Sequence, residues 1–294
     1  MDRETGLVSS LRYFFDPTPG TFNSFDSYLG FSSAPVIIGS PGIFTATTKT
    51  VTMTSDPGSV IHYTLDGSNP TSDSPVYTSA LQIDSTTIVR AIAVQPGCVP
   101  SSIVARSYLF KEDVIGTGGQ GNPAVDYQIR PTNYPAAAIR NGVPIQLFNP
   151  NRPGLIDYEM SSSVVEDHYN TIFDDLTEIP TLSVSLPTDQ LFGATNGIYS
   201  RSDDTTNDGN DPMDNDWRRV ASFEYIDPAN PVNYTQETVE ITISGASSRR
   251  FTATNKHNMR LLFKPKFTLD GDAFMRFEAP PFTGTSHKNF TQLQ

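Results

Sequence analysis

The chain is poor in basic residues, in cysteine and in long apolar runs. Its 294 residues carry 20 Lys and Arg against 32 Asp and Glu, a net charge of −12. Nucleic-acid binding draws on clustered basic side chains that displace counterions from phosphates. No such cluster occurs, so that class is set aside. A single cysteine, Cys98, excludes an intrachain disulfide. It stands between Pro96-Gly97 and Val99-Pro100 and reads as a small residue at a turn. No run of about 18 apolar residues exists, so no membrane-spanning helix is expected. The four histidines (His62, His168, His257, His287) show no metal-ligand spacing, and no Ser-His-Asp or Cys-His set emerges. His168 reads as a solvated residue. The opening text MDRETGLVSSLRYFF has neither the basic nor the apolar region of a signal peptide. With the abrupt final text HKNFTQLQ, it suggests a piece of a longer chain.

What is present is turn chemistry between short apolar alternations. Hydrophobic residues make up 37% and charged residues 18%, enough for a core under an uncharged polar surface. That acidic, Thr-rich balance is common in secreted and cell-surface proteins. Residues 1–43, rich in Phe, Gly, Pro and Ser, read as the end of an upstream module and a linker. Residues 44–111 alternate. Val51 and Met53 share one face, then Ile61, Tyr63 and Leu65, then Val89, Ala91 and Ala93 with Arg90 pointing away. Asp56-Pro57-Gly58 and Asp66-Gly67 separate strands. Asp66 is placed to accept from an amide two residues on, and Gly67 to take positive φ. Five short strands at spacings of roughly ten residues predict a small β-sandwich.

Residues 112–155 read as a linker (GTGGQGNP) and a proline-rich wrapping segment. In residues 156–180 the spacing predicts a helix. Ser163 and Glu166 form a capping box, and Val165, Tyr169, Ile172, Phe173 and Leu176 follow a 3.6-residue period. Strands follow in PTLSVSLP, RRVASFEYID, ETVEITISGAS and HNMRLLFKPKF, with Val239, Ile241 and Ile243 on one face and Met259, Leu261 and Phe263 on another. The second half is therefore α+β with a mainly antiparallel sheet. The acidic stretch 203–216 places Thr206 and Asn215 where a calcium loop started at Asp204 needs ligands, so the EF-hand pattern fails and a solvated loop is expected.

Residues 63–71 (YTLDGSNPT), Tyr77 with Leu81, and residues 86–91 (TTIVRA) resemble the chitobiase/β-hexosaminidase C-terminal type of module over residues 44–110. The resemblance implies an immunoglobulin- or fibronectin-like β-sandwich accessory to extracellular enzymes, without a catalytic site. Residues 180–183, 197–199, 217–224, 245–249 and 256–263 resemble, in order and spacing, the N-terminal part of the CotH kinase family over 156–294. Residues 11–23 are similar to the end of a lamin-tail-type module. The whole reads as a mainly β chain, a sandwich followed by an incomplete α+β module.

The CotH resemblance implies ATP and Mg²⁺ only where that module is complete, with the metal-binding carboxylates expected beyond Gln294. Within this chain, Gly245, Ser247, Ser248 and Arg249 are candidates for a phosphate-binding turn, and Lys256 and Arg260 for its positive charge. Tyr63 and Tyr77, near His62, are candidates for stacking on a cell-surface polysaccharide. The expectation is an extracellular structural or adhesive role, partnered by polysaccharide or protein, without turnover in this chain. A parent phosphotransferase and a carbohydrate-binding module are the alternatives.

Overall fold

A computed structural model describes residues 13–14, 27–110, 113–114, 137–140, 143–146, 167–168, 170–192, 197–198, 218–228, 235–244, 258–263, 275–276, 289–290 and 292–293. The strands ahead of and within the first half are β1 (Tyr13–Phe14), β2 (Ser27–Tyr28), β3 (Val36–Ile38), β4 (Gly42–Phe44), β5 (Lys49–Thr54), β6 (Val60–Thr64), β7 (Leu81–Ile83), β8 (Thr87–Val94) and β9 (Val104–Phe110). β10 (Ala137–Arg140) and β11 (Val143–Gln146) form a ribbon. Then come α1 (Ile172–Glu178), β12 (Thr181–Ser185), α2 (Thr188–Phe192), β13 (Arg219–Ile226), β14 (Thr235–Ser244), β15 (Asn258–Leu262), β16 (Met275–Arg276), β17 (Asn289–Phe290) and β18 (Gln292–Leu293). The fold is mainly β, and its sheets are largely antiparallel.

All five strands expected within 44–111 are present. Two more precede them. β3 joins β5 and β7, while β4 runs parallel to β9 in a sheet ordered β4-β9-β8-β6. The orders β3-β5-β7 and β9-β8-β6 are those of the two sheets of an immunoglobulin-type sandwich. The segment read as linker thus gives both sheets an edge strand. The chain changes sheets at Gly39 (φ 129°), where an added Cβ would lie 3.3 Å from the Tyr108 hydroxyl.

Alternation explains the core between these sheets. Ile37, Val51, Met53, Ile61, Ile83, Val89, Ala91, Tyr108 and Phe110 pack together. Each large apolar side chain buried in this way contributes roughly 1.5–3 kcal/mol. Phe44 stacks on Tyr108 at 6.2 Å, and Lys49 Nζ lies 4.1 Å from the Phe44 ring centre. The outer edge of β6 is closed by the segment before β7. Tyr63 N donates to the Pro75 carbonyl and Tyr77 N to that of Ile61. This pairing removes an exposed ladder that other strands would add to.

The second sheet runs β12-β13-β14-β15-β18. One face carries Ala221, Phe223, Tyr225, Val239, Ile241, Ile243, Leu261 and, just past β15, Phe263. The Phe223 and Phe263 rings meet edge to face at 5.4 Å. These are the faces the sequence alternation predicts. Within the stretch expected to be helical, α1 starts after Thr171, which makes no side-chain cap, and Ser163 and Glu166 of the expected capping box lie outside the described residues. Asp174 and Asp175 in its first turn suit the helix dipole. α2 occupies part of the stretch read as a turn-rich connection. Among the described residues no helix is long and apolar enough to cross a membrane.

Candidate functional site

The turn that follows β6, on the way to β7, is built as its residues demand. Asp66 Oδ1 accepts from Ser68 N at 3.0 Å and from Ser68 Oγ at 2.6 Å, and Gly67 has φ 80°. The Ser68 hydrogen bonds hold the Asp66 carboxyl below its ordinary value, with a smaller contribution from Arg90. Arg90 Nη1 donates to the Gly67 carbonyl at 2.8 Å, so the arginine of the TTIVRA text clamps the turn from the neighbouring strand.

Arg90 points away from the sandwich core, as alternation predicts, yet it is only 2% exposed. Ala105 and Ser107, on the same outward face, are both at 0%. An outer sheet face this buried has a second layer on it. β9 packs on β13, and the small side chains of Ala105, Ser107 and Ser222 allow a close approach. Arg90 Nη2 donates to Ser222 Oγ at 3.4 Å. Ser107 N donates to Glu224 Oε1 at 3.2 Å, Ser107 Oγ donates to Glu224 Oε2, and Ser107 Oγ lies 2.6 Å from Ser183 Oγ.

The joint is therefore polar on both sides. In β13 the residues alternate between Ala221, Phe223 and Tyr225, facing the second core, and Ser222, Glu224 and Ile226, facing the other way. β12 adds Ser183 opposite Glu224 and Ser185 opposite Ser222. Burial raises the Glu224 carboxyl above its ordinary value, against the Ser107 hydrogen bonds and the Arg106 charge. Burial lowers Arg90 to about 10, opposed by Asp66, so it stays charged at neutral pH. Tyr108, behind Ser107 on the core side, is pushed up to about 12 by burial, against the Arg106 charge and with a smaller push from Glu224. Arg90 Nε and Ser185 Oγ are buried without a hydrogen-bond partner. Burying so many polar groups costs free energy unless they are bonded to one another. The network accordingly fixes one geometry between the two sheets more than it adds net stability.

Residues 51–108 match the family described as Fn3 associated. This part of the chain is a fibronectin-associated β module. The match runs from β5 into β9 and includes both Arg90 and Ser107, the module's side of the joint. No curated protein matches the chain.

Other candidates fall elsewhere. Tyr63 and Tyr77 are half-buried and pack against the core of the Fn3-associated module. His62 is buried, and its Nδ1 donates to the Ser74 carbonyl at 2.8 Å. His168 is exposed. Gly245, Ser247, Ser248, Arg249, Lys256 and the acidic stretch 203–216 lie outside the described residues. Arg260 sits on β15, opposite Thr242, and donates from Nη2 to Ser244 Oγ at 3.2 Å. Among the described residues no group of three or more His, Cys, Asp or Glu is placed to hold a metal ion.

The residues that build the joint, Ser107, Ser183, Ser222 and Glu224, carried no sequence signal as a site. Serine or glutamate on alternate positions of an antiparallel strand ordinarily marks the solvent face. Arg90, Ser183, Ser222 and Glu224 were visible only as members of the quoted motifs, and Ser107 belonged to none.

Proposed function

We propose that the Fn3-associated module is an accessory unit of a secreted or cell-surface multidomain protein, and that it holds the following sheet in a fixed orientation. The observation that carries this reading is the buried joint, in which Arg90 and Ser107 of one unit bond Ser222, Ser183 and Glu224 of the other. A free spacer has no use for a buried arginine and a buried carboxyl on its outer face. The strand text of the second sheet supports, by resemblance, a CotH-type module as the unit being held. On that reading any phosphotransfer belongs to a complete module, and the sandwich contributes orientation without turnover.

Ala105→Glu tests the docking. Ala105 is fully buried in the joint, and a side chain as large as glutamate has no room there, even beside Arg90 on the paired strand. Small-angle scattering of the full chain is expected to show a larger radius of gyration for the variant, with circular dichroism unchanged. An unchanged scattering profile in a folded variant overturns the reading.

A further inference from the structure

Glu224 is 1% exposed, and Ser107 gives it two hydrogen bonds, one from the amide and one from the hydroxyl. The Ser107 hydroxyl also meets Ser183 Oγ at 2.6 Å, a contact in which either oxygen can donate. We propose that this Glu224–Ser107–Ser183 chain is a proton-operated clasp between the two β units, closing more tightly as the surroundings become acid. The proposal rests on the docked arrangement described above.

The geometry allows two complete hydrogen-bond patterns. With the carboxyl ionised, Ser107 Oγ–H donates to Oε2 and Ser183 Oγ–H donates to Ser107. With the carboxyl protonated, Oε2–H donates to Ser107 Oγ, and the Ser107 hydroxyl turns to donate to Ser183. Both oxygen–oxygen contacts are kept in either state; the direction of the chain reverses, and the hydrogen of Ser183, a half-buried residue, turns away from Ser107. Uptake of a proton therefore leaves the joint intact and removes a charge that is otherwise buried.

The surrounding groups do not cancel this. Arg90 on β8 is engaged by the Gly67 carbonyl and Ser222. Arg106 on β9 donates to the Gly39 carbonyl at 2.9 Å, and its charge opposes burial of the carboxyl without outweighing it. Tyr108 is neutral through the physiological range. β12 faces Glu224 with Ser183, and β14 places Gln236 opposite it in register, both uncharged. Separation of the units returns Glu224 to water and to an ordinary carboxyl affinity for protons. The docked form then binds the proton more tightly, and by linkage a proton strengthens docking.

The chain carries its own reporters. Trp217 is the only tryptophan, immediately before Arg218, and Cys98, the only cysteine, stands in the β8–β9 turn. With a thiol-linked acceptor on Cys98, energy transfer from Trp217 follows the separation of the units during urea titration. As the pH falls through the raised Glu224 value toward the ordinary carboxyl value, the urea midpoint for loss of transfer is expected to rise. The underlying docking constant changes by up to about tenfold per pH unit between the free and docked carboxyl values. Glu224→Gln, locked neutral, is expected to show a flat midpoint. A wild-type midpoint that is flat, or that slopes like the variant's, overturns the clasp and leaves docking standing. A small-angle scattering profile of the wild type showing two separated bodies without urea overturns docking itself. Infrared titration of the wild type checks the same point without a variant. A carboxyl still protonated above the ordinary glutamate value of about 4.3 is expected, and its absence there overturns the clasp.

Discussion

Removing the Ser107 hydroxyl tests the joint most directly. Ser107→Ala takes one donor from the Glu224 carboxyl and the partner from Ser183, and leaves the Ser107 amide bond to Oε1 in place. A hydrogen bond to a charged group contributes about 1.5–3 kcal/mol, and a buried group left short of a partner adds a cost of similar size. Toward alkaline pH, where Glu224 is ionised, the substitution is expected to cost about 3 kcal/mol. In a Glu224→Gln background the same hydroxyl serves a neutral amide, and its loss is expected to cost about 1 kcal/mol. The double-mutant cycle then gives a coupling of about 2 kcal/mol, well beyond the roughly 0.3–0.5 kcal/mol within which independent sites add. Urea unfolding followed by Trp217 fluorescence measures it. With a slope of about 1–3 kcal/mol per molar urea, the single variant's midpoint falls by about 1 M or more. Additive effects of the two substitutions would mean that Ser107 and Glu224 do not touch, and would refute the reasoning.

Tyr108→Phe removes a fully buried hydroxyl that has no hydrogen-bond partner and keeps the ring stacked on Phe44. Calorimetry is expected to show a gain of about 1 kcal/mol, a rise of about 4–8 °C for a domain of this size. Gly67→Ala forces a Cβ onto φ 80°, and although the space is open the strain is expected to cost about 1–2 kcal/mol. Gly67→Asn is expected to cost less, because asparagine tolerates that conformation, and chemical denaturation ranks the two. The two perturbed carboxyls give stability opposite pH signs. Asp66, lowered on folding, contributes stability above its unfolded value that is lost as pH falls through its folded value. Glu224, raised on folding, contributes below its unfolded value and loses that contribution as pH rises through its folded value. Melting temperature against pH is therefore expected to fall on both sides, with Asp66→Asn flattening the acid limb and Glu224→Gln the alkaline one.

Period-two alternation and turn residues by themselves determined the five strands of the sandwich, four of the five strands of the second sheet and the sides that face each core, except that Leu65, just past β6, is exposed. Val51 and Met53, Val239 to Ile243, and Leu261 with Phe263 all lie where their spacing puts them. These are local properties, because a strand shows its two faces in its own sequence. The Asp66 turn was legible for the same reason. Local pattern did not reveal β3 and β4, whose three residues each are too few to show a period. They became strands because β5 and β9 offered open edges for them to pair with. Nor did it reveal the joint. The texts of β9 and β13 present Ser107, Ser222 and Glu224 as they would present residues facing water. Only the meeting of two sheets far apart in sequence turned those positions into a buried network. Burial by a distant segment alters a side chain's electrostatics without leaving a mark in its neighbouring residues.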